Sequence, residues 1–198
     1  MTITDYTSGK ILANRSNLLR TRSYGAEKME LVADASILIH LSAIGRFYLL
    51  RELFKGITIP EGVYTEVVIE GWGLSGSLET SEAIRTEFIK VNQVMDKEKV
   101  KKIAQEYKTS TSNAEVIQLA KELNADLVLA NEEEVRTAAE ISGFKVKGCL
   151  GILIEAVKNE IISSQHAIQD VDNLIKSGYR IKDEVIKMVK DTLGRWNE

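Results

Sequence analysis

The chain has 198 residues, 44% hydrophobic and 28% charged, with a net charge of −3; this suits one globular core and gives no global electrostatic case for nucleic-acid binding. A single cysteine, Cys149, excludes an intrachain disulfide framework, and two distant histidines, His40 and His166, argue against a zinc site or a His-based nucleophile. No apolar run nears the roughly 18 residues of a bilayer span and no h-region marks the start, so a soluble, cytoplasmic protein away from membranes is expected.

Charge is uneven at the start of the chain. Lys10, Arg15, Arg20 and Arg22 lie between Asp5 and Glu27 with no acid among them. Residues 1–28 therefore read as a polar, basic and flexible arm that could touch RNA phosphates, or simply be solvated. The domain proper is expected over residues 29–198, from Met29-Glu-Leu-Val-Ala-Asp onward. Residues 30–34 form a first strand, followed by helices over Ile37 to Ile44 and Phe47 to Phe54, with Gly45 as the break. Ile57-Thr58-Ile59 is a short strand, and Pro60 opens a helix carrying Val63, Val67, Val68 and Glu66. Residues 71–80, rich in glycine and serine, read as a loop. Helices are expected over Ser81 to Glu87 and Lys97 to Tyr107, with a short run from Phe88 to Val91 between them.

A second helix–strand series follows. Val116, Leu119, Ala120 and Leu123 have helical spacing over residues 113–123. Leu127 to Ala130 is a buried-type strand, residues 132–142 are helical, and Phe144 to Val146 is the last strand. From Leu150 onward the pattern is helical, broken near Asn159 and Gly178. This alternation implies βαβ units: a three-layer α/β/α domain around a mostly parallel sheet, its helical part at the C-terminal end.

Gly71-Trp-Gly73-Leu-Ser-Gly76 matches GxGxxG, but it leaves a helix rather than a strand, so it reads as a loop and not a dinucleotide fingerprint. No Walker-type phosphate loop exists. The acids are more informative. Asp34 ends the first strand, with Ser36 two residues on; Glu66 lies in the helix after the second strand. Glu115 falls in the first turn of the helix before Leu127, and Asn131 and Glu132 follow the strand Leu127 to Ala130. In open α/β sheets ligands collect beyond the carboxyl ends of the strands, and a few carboxylates plus water suit a hard divalent cation. Each position also has a local alternative. Asp34 or Ser36 could cap a helix, Ser112-Asn-Ala-Glu115 fits a capping box, and Asn131 is a good N-cap.

Several segments in order carry a resemblance: Val32-Ala-Asp-Ala-Ser-Ile-Leu-Ile-His-Leu, Ile59-Pro-Glu-Gly-Val-Tyr-Thr-Glu-Val, Ala114-Glu-Val-Ile-Gln-Leu-Ala, Ala125-Asp-Leu-Val-Leu, Gly148-Cys-Leu-Gly-Ile-Leu and Gly178-Tyr-Arg-Ile. Over roughly residues 30 to 190 the chain resembles the PIN-domain family, and within it a VapC-like prokaryotic branch long described only as a domain of unknown function. The resemblance implies a Mg²⁺- or Mn²⁺-dependent ribonuclease, often the toxin of a toxin–antitoxin pair. It makes Asp34 the first metal ligand, Ser36 its supporting hydroxyl, Glu66 and Glu115 further catalytic acids, and Glu115 and Glu132 metal ligands beside Asp34.

The chain departs from the family pattern twice. Asn113 stands where relatives carry the first acid of Gly-Glu-x-Glu, and Asn131 where they carry the first Asp of a pair. An amide keeps an oxygen donor but removes a full charge. The sequence thus points to an RNA-cleaving enzyme with a weakened acidic pocket, with a small antitoxin and a second copy of the chain as expected partners. The competing readings are a PIN fold that has lost catalysis and serves as a binding or regulatory module, and a small-ligand-binding α/β protein.

Overall fold

The computed structural model describes residues 29–195. The basic arm, with Lys10, Arg15, Arg20 and Arg22, lies outside the described residues. Five strands form one all-parallel sheet: β1 (Leu31–Ala33), β2 (Ile57–Pro60), β3 (Ile89–Asn92), β4 (Leu127–Leu129) and β5 (Lys145–Lys147), in the order β3-β2-β1-β4-β5. The central strands β1, β2 and β4 are buried along their whole length. That is why they read as continuous apolar runs rather than alternating ones. The edge strand β5, Lys145-Val-Lys147, is more open.

Among the described residues, ten α-helices connect and cover these strands. They are α1 (Ala35–Ala43), α2 (Tyr48–Leu53), α3 (Glu61–Tyr64), α4 (Ser77–Arg85), α5 (Lys97–Tyr107), α6 (Thr111–Leu123), α7 (Glu133–Ile141), α8 (Cys149–Lys158), α9 (Ser164–Lys176) and α10 (Asp183–Gly194). Helix α3 continues directly into a π-helical segment, Thr65–Glu70. Helices α5, α6 and α7 pack together, as do α8, α9 and α10, with α1 against α8 and α9. The result is a three-layer α/β/α architecture. Helix α6 is buried without interruption from Asn113 to Ala120 and contacts both β1 and β2. Its two polar residues near the start, Asn113 and Glu115, are therefore inside the protein.

Most expected elements occur within a residue or two of their expected bounds. The largest difference is at residues 71–80, expected as a loop, where α4 already begins at Ser77. Its buried positions are Ser77, Thr80 and Ala83, so no apolar periodicity marks it. Small residues are needed there. A Cβ on Gly76 would come 3.3 Å from the backbone of Ile39 in α1, and Gly76 itself sits at φ 96°. Helix α6 also starts two residues earlier than its apolar spacing suggests, at Thr111.

The sheet order reverses between β1 and β4, because β1 to β3 run outward one way and β4 to β5 the other. Leu31, Val32 and Ala33 lie in register with Leu127, Val128 and Leu129, and the Asp34 N–H donates to the Leu129 carbonyl at 2.9 Å. Asp34 and Asn131 therefore leave the sheet side by side at its topological switch point, the place where such sheets bind ligands.

Candidate functional site

Asp34 is 1% exposed. It is the N-cap of α1, so the local alternative and the site reading coincide in one side chain. Its Oδ1 accepts from the Ser36 hydroxyl at 2.7 Å and the Ile37 N–H at 2.9 Å; its Oδ2 accepts only a longer bond, 3.2 Å, from the Asn131 N–H. A carboxylate oxygen has room for about two partners, so Oδ2 keeps capacity for a cation. Burial pushes the Asp34 pKa from 3.8 up to about 6. The Ile37 and Ser36 hydrogen bonds pull it down, Glu132 pushes it up, and the Asn131 N–H lowers it slightly. Burial above all, with Glu132 adding to it, thus favours the neutral form of Asp34 in the metal-free fold.

A cleft of about 590 Å³ is lined by Glu66, Glu70, Glu132 and Glu134, by Thr65, Thr109, Ser110, Ser112 and Asn113, and by Gly62 and Lys108; Asp34 is not part of this lining but feels the charge of Glu132. Glu66 sits in the π-helical segment, where the i→i+5 pattern appears as a Gly71 N–H bond to the Glu66 carbonyl at 3.0 Å. Such segments recur at functional sites. Partial burial raises the Glu66 pKa, as do Glu132 and Glu70; nearby Ser112 moderates the rise, although its buried hydroxyl lies off good hydrogen-bonding geometry. Glu132 is the common neighbour: its charge acts on Asp34, on Glu66 and on His40.

Asn113 and Glu132 meet directly. The Asn113 Nδ2 donates to Glu132 Oε2 at 2.6 Å and to the Thr109 hydroxyl at 3.0 Å. Asn131 is occupied elsewhere. Its Oδ1 accepts from the Cys149 N–H at 2.9 Å and its Nδ2 approaches the Cys149 sulfur at 3.2 Å, at the start of α8. It does not cap α7; the N-cap residue there is Glu132, with no side-chain cap bond.

The capping box expected at Ser112–Glu115 does not form either. Ser110 caps α6 by accepting from the Asn113 N–H at 3.1 Å, which frees Glu115 to reach across to another helix. Glu115 Oε2 accepts from the Gly62 N–H at 2.8 Å, in the first turn of α3, and Oε1 pairs with Lys97 Nζ at 3.0 Å. A Cβ on Gly62 would stand 2.7 Å from Glu115 Oε2, so only glycine permits this contact without displacement. Glu115 thus ties α3, and the Glu66 segment that follows it, to α5 and α6. It stands behind the cleft wall while Glu66 and Glu132 line the cleft. In this arrangement no three His, Cys, Asp or Glu side chains among the described residues stand close enough to hold one ion.

Sequence reasoning passed over Glu70, Glu134, Lys108, Thr109 and Ser110. Glu70 was legible, being four residues after Glu66 on a continuous helical stretch; the others depend on which turn folds over the cleft. His40 and Tyr179 pack edge to face at 5.2 Å near Asp34, whose charge helps raise the Tyr179 pKa to about 12 after burial and Cys149. The Gly178-Tyr-Arg-Ile segment therefore closes the back of the site.

A family model described as a PIN domain matches residues 30–195. The chain belongs to the PIN-domain family, a nuclease fold whose members act on nucleic acid. No curated protein matches it. No helix among the described residues is long and apolar enough to cross a membrane.

Proposed function

We propose that this protein is a metal-dependent endoribonuclease of the VapC-like toxin type, hydrolysing RNA phosphodiesters in the cleft lined by Glu66 and Glu132. The observation that carries the reading is Asp34 itself: a buried carboxylate at the switch point, with one under-used oxygen and Glu132 adding further negative charge. The donor set is oxygen only, which fits Mg²⁺ or Mn²⁺ and not a soft metal. Asp34 and Glu132, helped by Glu66, would have to draw together to hold the ion, because they do not converge on one point in the metal-free fold. Glu115 would join once Lys97 is displaced, and otherwise braces α3. The bound ion supplies a Lewis acid for the phosphodiester and lowers the pKa of an attacking water.

The chain's own residues do the rest. Ser36 and the Ile37 N–H fix the Asp34 rotamer so that Oδ2 faces the Asn131 side. Asn113 holds Glu132 by one oxygen, leaving the other without a bond from a described residue. Glu66, whose pKa is raised by burial and neighbouring acids, lines the cleft and would be placed to exchange a proton with water or the leaving oxygen. A small antitoxin protein and a homodimer belong to the same reading.

The test uses the full chain with a single-stranded RNA, in Mn²⁺, in Mg²⁺ and in chelator. Cleavage in metal, faster with Mn²⁺, with none in chelator and none by Asp34→Asn, is the expected result. No cleavage with either ion, or equal cleavage by Asp34→Asn, would end the enzymatic reading. A non-catalytic PIN fold that binds without cutting would then take its place. The engagement of both asparagines by neighbouring side chains and backbone favours that second reading.

A further inference from the structure

Lys108 is the one cationic side chain among the described residues that line the acidic cleft, which also carries Glu66, Glu70, Glu132 and Glu134. It forms no ion pair with any of them; Lys97 and Lys99, at the far end of α5, pair with Glu115 and Asp96, neither of which lines the cleft. Its backbone is left-handed, as at three other non-glycine residues of the described chain. Lys108 ends α5 in the left-handed region, at φ 51° and ψ 42°, where its N–H and that of Thr109 both return to the Ala104 carbonyl. Glycine is the residue that adopts this helix-ending conformation without strain. Glu87, Asn124 and Glu160 adopt the same conformation away from the cleft, so the backbone by itself marks no site but leaves strain that a glycine would relieve.

The turn that carries Lys108 is also pinned to the acids. The Thr109 hydroxyl and Glu132 share the Asn113 amide, so the backbone of Lys108 is fixed relative to Glu132 through two hydrogen bonds. An exposed, unpaired ammonium on a fixed turn at the rim of an acidic cleft suits an anion that arrives with the substrate. We propose that Lys108 contacts a backbone phosphate of RNA lying in the cleft, offsetting the repulsion between that polyanion and the carboxylates. The role rests on the ribonuclease reading for the nature of the ligand, but it is a binding role and can be measured apart from cleavage.

The strained backbone gives a test that separates function from folding. Lys108→Gly removes the charge and relieves the left-handed strain, so its melting temperature should rise while its function falls. The probe is a fluorescently labelled single-stranded RNA, with anisotropy read in chelator across a salt series. Loss of one phosphate contact should weaken binding about tenfold at low salt and lower the slope of log K against log salt by about 0.7. Lys108→Arg should restore both, and cleavage in Mn²⁺ should follow the same order. If Lys108→Gly binds with the wild-type slope, or wild type binds no RNA, the proposal is overturned. Slope loss in a wild type that never cleaves would support Lys108 while ending the nuclease reading.

Discussion

Asn113 and Asn131 both stand where the resemblance led to the expectation of an acid, and the fold uses them differently. Asn131 turns away from the cleft and spends both polar atoms on Cys149, fixing where α8 begins; a Cβ on Gly148 would lie 2.9 Å from its Oδ1. Asn113 faces the cleft and is 6% exposed, bridging Glu132 to Thr109. One amide has become part of the scaffold. The other works inside the acidic cluster, supplying donors where a carboxylate would add charge. An amide therefore bears on the acidic cluster itself at Asn113 and on its support at Asn131.

The largest expected effect sets the baseline for both. Asp34→Asn should reduce metal-dependent cleavage by about 100-fold or more, as removal of a central charged group does. Stability should move the other way. Because the folded-state pKa of Asp34 is raised to about 6, its ionisation opposes folding fully above pH 6. That opposition fades as pH falls from 6 towards 3.8. The shift corresponds to about 3 kcal/mol, less what the new amide loses against the Asn131 N–H. Urea titrations of the metal-free protein should find Asp34→Asn more stable than wild type at pH 8, with a gap that narrows by pH 5. A gap independent of pH would show that Asp34 titrates as an ordinary carboxylate.

Restoring acids should distinguish the two asparagines. Asn113→Asp replaces a donor with a like charge beside Glu132, so metal-free stability should drop by about 1–3 kcal/mol while Mn²⁺ affinity rises about tenfold. Asn131→Asp keeps an acceptor for the Cys149 N–H and should change stability by less than about 1 kcal/mol, with about a threefold gain in affinity. Parallel thermal melts and Mn²⁺ titrations read both. A larger affinity gain at residue 131 would reverse the assignment made here.

Gly62 and Lys97 probe the brace behind the wall. Gly62→Ala forces a Cβ towards Glu115 Oε2 and Ser112, and should cost about 1–3 kcal/mol by overpacking while shifting the Glu66 segment. Lys97→Met removes a half-exposed partner of Glu115 and should alter stability by no more than about 1 kcal/mol. If Glu115 can join the metal, Lys97→Met should also raise Mn²⁺ affinity about two- to threefold. Unchanged affinity would confine Glu115 to bracing.

Much of this was legible in the sequence, for definite physical reasons. The buried runs Leu31-Val-Ala and Leu127-Val-Leu announce central parallel strands, and acids directly after them announce the switch point. Helix α4 was hidden because Ser77, Thr80 and Ala83 face the core. The cap of α6 was misplaced because Ser110 and Ser112 are both plausible caps, and only packing against α3 decides which way Glu115 turns. The basic turn at Lys108 was invisible because sequence spacing does not reveal a left-handed backbone. The local alternative for Asn131 was a cap on the nearest helix start, whereas its partner, Cys149, lies 18 residues on.

The central proposal is that Asp34 and Glu132, with Glu66, draw together around one divalent cation, although they do not converge on one point in the metal-free fold. Calorimetric titration of Mn²⁺ into the metal-free full chain, wild type and Asp34→Asn side by side at pH 7.5, tests it most directly. The account expects one saturable site in the wild type and none in the variant. The same isotherm in both proteins, or no saturable heat in the wild type, would contradict it.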